Sequence, residues 1–198
     1  MASDNDLPAD VYPESRNRLP LPERAALDDD GQRLYDIATS GTLIAGLQGP
    51  TGLRLYAPKL GLLKRNVNDY LRFEAGLDPA LCELTILIAA RETDQHFEWN
   101  AHEDVALKFG LSPATIDVVR SRLPLEGLAE AEAALIRLGR EALQQRTVAP
   151  ATFADALRLF GAVRLQGYVS LMAEYVATAA FLTVFDQQLP PARRSTLP

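Results

Sequence analysis

Two histidines, His96 and His102, stand six residues apart and are the only imidazoles in a chain of 198 residues. They lie in the segment LCELTILIAARETDQHFEWNAHEDVALKFGL, which runs from Leu81 to Leu111. On a helix of 3.6 residues per turn, a step of six is about 240°, so the two rings point in different directions. Gln95, Glu98 and His102 instead fall at i, i+3 and i+7 and share one face. Glu98 and His102 are i, i+4 neighbours within hydrogen-bond reach. Glu83 sits among Leu84, Leu87 and Ile88 on the preceding segment, and a carboxylate on so apolar a face asks for a buried partner. An imidazole beside carboxylates is the equipment of proton transfer near neutral pH.

Other chemistries lack their residues. Cys82 is the only cysteine, so the chain has no disulfide, no CxxC redox pair and no all-thiolate zinc site of its own. Without a second thiol or a histidine near it in sequence, Cys82 reads as a small core residue. HExxH is absent, since His102 is followed by Glu103-Asp104-Val105-Ala106, and no metal site is assigned. There is no GxSxG elbow, no GxxxxGKS and no GxGxxG. Lys plus Arg number 20 against 26 Asp plus Glu, a net charge of −6, without the basic face that nucleic-acid binding needs. The N-terminal residues show no basic cluster followed by an apolar run, so no secretory signal is read there.

The elements that must position these side chains read as helices throughout. Residues 1–24 hold four of the 13 prolines and read as an extended arm. A helix is predicted from Asp28, where an acidic run suits a helix start and Leu34, Ile37 and Ala38 share a face. The glycines at 41, 46, 49 and 52 mark a loop. The next helix spans Pro58 to Phe73, with Leu60, Leu63, Val67 and Leu71 on its apolar face. Asp78 then caps a helix that opens on Pro79 and ends near Asp94, where another begins and reaches Phe109, closed by Gly110. Shorter helices follow from Ser112-Pro113, from Leu128 to Gln145 and from Thr152 to Phe160.

A final apolar helix runs from Val163 to about Gln187. Glu174 in its middle disfavours a lipid-exposed span. A helix apolar on nearly all sides must be covered on all sides, which predicts a homo-oligomer. No period-two alternation calls for strands, and the fold class is all-α. The organisation expected is an arm at 1–24, a helical domain at 25–190 and a tail at 191–198, in a cytoplasmic protein that spans no membrane.

From about Leu19 to Leu189 the sequence resembles the carboxymuconolactone decarboxylase-like family, which includes the alkylhydroperoxidase D-type proteins. Three blocks carry the resemblance: the run from Gln48 to Ser112, the amphipathic EAEAALIRLGREALQQRTVAPATFADALRLFG, and the terminal GYVSLMAEYVATAAFLTVF. The first is the most specific, with a glutamate and, nineteen residues on, the histidine of an E-W-x-x-H helix: Glu83, then Glu98, Trp99 and His102. The resemblance implies an alkylhydroperoxidase D-like helical bundle and an oligomer, a homodimer, trimer or hexamer.

In the peroxidase branch two cysteines occupy the positions that are Gln95 and Glu98 here. Thiol–disulfide chemistry needs an attacking and a resolving thiol, so the resemblance does not extend to peroxidase activity. The decarboxylase branch keeps E-W-x-x-H and acts on carboxylated γ-lactones, a reaction that requires neither metal nor organic cofactor. It implies His102 as the proton-transfer group, Glu83 or Glu98 as its partner, and a substrate pocket lined by Trp99, Gln95 and an arginine, for which Arg91, Arg72 and Arg54 all lie near in sequence. The partner is then a small-molecule carboxylate, a lactone or keto acid. The competing expectation is a non-catalytic oligomeric binding or scaffold protein on the same fold, in which Glu83, Glu98 and His102 are a satisfied polar network.

Overall fold

The computed structural model describes residues 7–41, 46–191 and 193–198. The first six residues of the predicted arm therefore lie outside the described residues. Among those described there are eight α-helices and no strand, the only β feature being an isolated bridge between Tyr12 and Asn17. The helices are α1 Asp29–Thr39, α2 Pro50–Arg54, α3 Pro58–Asp69, α4 Pro79–Glu92, α5 His96–Lys108, α6 Pro113–Arg120, α7 Glu130–Arg140 and α8 Pro150–Val184. The chain divides into two compact units, residues 1–67 with 180–194, and residues 68–179 with 195–198.

In the first unit the predicted arm is tied down by a polar knot. Asn17 Nδ2 donates to Gln187 Oε1 (3.0 Å), Gln187 Nε2 donates to the carbonyls of Ser15 and Arg16, and Arg16 Nε donates to the Leu189 carbonyl (2.6 Å). These groups are buried, so the backbone of residues 15–17 finds its partners in protein rather than water. Asp28 caps α1 by accepting from Gly31 N, as its acidic start predicts.

The apolar face expected for α3 is not the face that packs. Leu60, Leu63 and Val67 are 56%, 56% and 46% exposed. The close contact is made at Gly61, where a Cβ would come within 2.6 Å of Leu34 Cδ2. A hydrogen is all that fits between the two helices. Beyond Asp69 the helix widens into a π turn, Tyr70–Glu74, whose Ala75 N reaches back to Tyr70 O (2.8 Å). The extra residue in that turn changes the angular register, so Leu71 is buried while Tyr70 and Phe73 face out.

In the second unit α4 is the central helix, buried without interruption from Cys82 to Arg91 and packed by α5, α6 and α7. A helix covered on every side shows no apolar stripe, which is why its periodicity is weak. Asp78 accepts from Leu81 N and Pro79 takes the first position, the expected start. The sequence 93–95 then reverses the chain. Asp94 adopts φ 48°, and Gln95 N donates to Ala90 O (2.7 Å).

The last helix, α8, is long and apolar enough by length and composition to cross a membrane. Gly161, at φ 69° and ψ 163°, breaks it into segments 150–160 and 162–184, matching the two helices read from the sequence. The second segment is not apolar-covered on all sides. Leu165, Tyr168, Leu171, Met172, Tyr175 and Ala179 form one buried stripe, while Val163 and Val169 are exposed. It serves as a core helix, and Tyr168 Oη ties it to the start of α4 by accepting from Asp78 N (3.1 Å).

Candidate functional site

The turn at 93–95 makes α4 and α5 antiparallel neighbours. Counted from Thr93, Glu83 lies ten residues back and His102 nine residues on, so the two are level across the hairpin. At 1.5 Å per residue that is about 15 Å from the turn on either side. Glu83 Oε2 and His102 Nδ1 meet at 2.7 Å. The other carboxylate oxygen, Oε1, accepts from Arg72 Nη2 at 2.5 Å, from the π turn after α3. Glu83 is 1% exposed and His102 5%, so a buried carboxylate and imidazole are joined to a partly buried guanidinium.

On its far side the imidazole faces two groups. Tyr175 Oη on α8 lies 3.3 Å from Nε2, with the rings edge-on at 88°, and Glu98 Oε2 lies 3.6 Å from the same nitrogen. Tyr175 Oη also accepts from Asn68 Nδ2 at 3.3 Å. All of these residues belong to the second unit.

The electrostatics follow from burial and pairing. Burial alone would push the Glu83 carboxyl up, but His102 and Arg72 outweigh it and hold it below the usual carboxylate value. It is an anion at neutral pH. Burial pushes the Tyr175 hydroxyl well above the ordinary phenol range, leaving it a neutral O–H. Cys82, next to Glu83 in sequence, is pushed up to about 12 by burial and then by Glu83, with Arg72 opposing. Its thiol is a poor source of thiolate.

The expected site residues separate into two groups. Glu83, Glu98 and His102 come together. Gln95 does not sit inside a helix, because the left-handed Asp94 delays the start of α5; it is the N-cap, accepting from Phe97 N (3.1 Å) and donating to Ala179 O (3.2 Å). Trp99 is fully buried in the core, donates to Thr196 Oγ1 at 2.8 Å and lies under the Arg120 guanidinium. Arg91 donates through Nε to the Arg120 carbonyl (2.6 Å) and pairs with Asp94 through Nη1. Trp99 and Arg91 thus hold α4, α5, α6 and the C-terminal residues together, and the arginine at the imidazole site is Arg72. His96 is exposed, with Nδ1 2.6 Å from Ser195 Oγ. Among the described residues no group of three or more His, Cys, Asp and Glu side chains is arranged to hold a metal ion.

Asn68 and Tyr175 went unread in the sequence. Tyr175 falls at i+7 from Tyr168 and i+3 from Met172, the spacing of an ordinary core stripe. Nothing at that position signals a polar contact. Arg72 was one arginine of three, and only the π turn aims it at Glu83.

The sequence model of the carboxymuconolactone decarboxylase family matches residues 60–138, which include Glu83, Glu98 and His102. A solved structure of an uncharacterized peroxidase-related protein from Ralstonia eutropha JMP134, described as an alkylhydroperoxidase AhpD core, superposes with a TM-score of 0.71. It is 16% identical and the match covers 88% of this chain and 93% of that one, so it shows a shared fold. No curated protein gives a significant match. Residues 60–138 are thus similar to the carboxymuconolactone decarboxylase family, and the chain has the alkylhydroperoxidase D-like fold.

Proposed function

We propose that the second unit is a cofactor-free acid–base site, in which His102 transfers a proton on a small carboxylated lactone or keto acid in a lyase or isomerase reaction. The observation that carries this reading is the 2.7 Å contact of His102 Nδ1 with a buried Glu83 that is itself held by Arg72. A carboxylate on one ring nitrogen fixes the imidazole's orientation and leaves the other nitrogen to take or give a proton. In a decarboxylation, the bond to the departing carboxylate breaks and its electron pair spreads into the conjugated carbonyl. His102 then delivers a proton to the carbon. Glu98, 3.6 Å from Nε2, is the second carboxylate for relaying it.

The neighbour in Ralstonia is described as peroxidase-related, but a peroxide reaction through thiols draws no support from a single buried cysteine. The protein is further proposed to be cytoplasmic and self-associating, binding neither nucleic acid nor membrane. The burial of the whole network favours one other reading, a non-catalytic oligomeric scaffold whose polar core specifies helix packing.

A panel of carboxylated γ-lactones and β-keto acids, assayed for CO₂ release in D₂O, separates the two. Release above the uncatalysed rate, with deuterium at the carbon that lost the carboxylate, supports the lyase reading. No release from any member of the panel, with a fully folded protein, supports the scaffold.

A further inference from the structure

We infer that Tyr175 and Asn68 are positioning residues that uphold, from the side opposite Glu83, the His102 tautomer with its proton on Nδ1, making Nε2 the basic atom. The inference rests on the proposed acid–base role of His102, but it concerns the ring itself and is tested without any substrate.

Asn68 is the first donor of the chain. Its Nδ2 carries hydrogens and no lone pair for a hydrogen bond, so at 3.3 Å it donates to Tyr175 Oη. The phenol has a single hydrogen, and burial keeps that hydrogen in place by pushing the hydroxyl well above its ordinary range. With its oxygen accepting from Asn68, the hydroxyl turns its hydrogen to His102 Nε2, 3.3 Å away. Nε2 must then present its lone pair. Glu98 Oε2 at 3.6 Å lies beyond hydrogen-bond distance, so it does not claim a hydrogen on Nε2.

The ring's one remaining hydrogen therefore sits on Nδ1, where Glu83 Oε2 accepts it at 2.7 Å. Glu83 in turn accepts from Arg72. From Asn68 to Glu83 each group thus donates to the next, and Arg72 donates to Glu83 from the other end. The two ends agree: the amide on one side and the carboxylate on the other each select the same tautomer. Asn68 and Tyr175 act through the ring and need not touch a substrate. Their assignment predicts that the nitrogen facing Tyr175, not the one facing Glu83, exchanges protons with it.

The test is nitrogen NMR of the full chain labelled in its two histidines, with His96→Gln to leave one ring. Nδ1 of His102 should give a pyrrole-type shift and Nε2 a pyridine-type shift at neutral pH. Asn68→Asp reverses the polarity, because a carboxylate accepts the phenol's hydrogen and the phenol oxygen must accept from Nε2. That variant should move Nε2 to the pyrrole type. Asn68→Ala, which only removes a contact, and Tyr175→Phe should not. A circular-dichroism melt on each variant confirms that it folds.

Opposite responses of the aspartate and alanine variants are what a purely structural role would not produce. A pyrrole-type Nε2 in the otherwise unaltered protein, or a pyridine-type Nε2 in folded Asn68→Asp, overturns the inference. Catalytic inactivity of the unaltered protein with a pyridine-type Nε2 overturns only the lyase reading.

Discussion

Glu83 is the residue on which the site turns. Its carboxylate is out of water, held from opposite sides by a guanidinium and an imidazole. Removing the charge with Glu83→Gln strands a partly buried Arg72, and breaking a buried pair costs about 3 kcal/mol or more. Chemical denaturation at pH 7 should show a loss of that order. Because the folded protein holds this carboxyl below its unfolded value, the unfolded chain takes up the proton first as the pH falls. The stability Glu83 contributes is full above roughly pH 4.3 and is lost as the pH drops towards the folded value. The variant should therefore show a flatter stability profile below that pH than the unaltered protein. An unchanged acid limb would mean that Glu83 carries no such charge.

At the scale of elements, α4 works because its neighbours come close enough to seal it. Gly139 on α7 faces α4, and a Cβ there would run into Ile88 Cγ2 and reach 3.3 Å from Met172 Cε on α8. Both neighbours are buried, so Gly139→Ala overpacks the core and should lower stability by about 1–3 kcal/mol. Thermal melts of the two proteins side by side measure it.

The same scale explains what could be read from residues alone. Glu83 and His102 were legible because each sits within a helix, and Asp78-Pro79 and Gly110 punctuate that pair of helices plainly. Gln95 was misplaced by one local event, the left-handed conformation of Asp94, which turns an expected helical position into a cap. The α3 residues Leu60, Leu63 and Val67 do share one apolar face, but that face is exposed. The packing face there is set by a glycine, which periodicity does not count, and by a π turn that shifts register after Asp69. Arg72, Asn68 and Tyr175 reach the site through those tertiary choices, which no spacing rule encodes.

For the whole molecule, the proposed self-association draws on the exposed Leu60, Leu63 and Val67. Three apolar side chains in one row favour a protein surface over water at about 25 cal/mol per Å² buried. Light scattering should give a mass that is a multiple of 21.7 kDa. Leu63→Lys with Val67→Lys should shift that mass towards a single chain, while leaving the helical content unchanged. A single-chain mass in the unaltered protein would remove the oligomer from the account. The long apolar helix, by contrast, finds its cover within its own chain along the stripe from Leu165 to Ala179.

The central claim is that the chemistry belongs to the imidazole and not to the thiol. Once the panel has identified a substrate, the decisive measurement is the rate of CO₂ release by His102→Gln beside that of Cys82→Ala. The glutamine variant should lose turnover by at least about 10²-fold, the scale of a lost general acid–base group, while the alanine variant keeps the rate of the unaltered protein. Full turnover by folded His102→Gln, or its loss in folded Cys82→Ala, would contradict the claim.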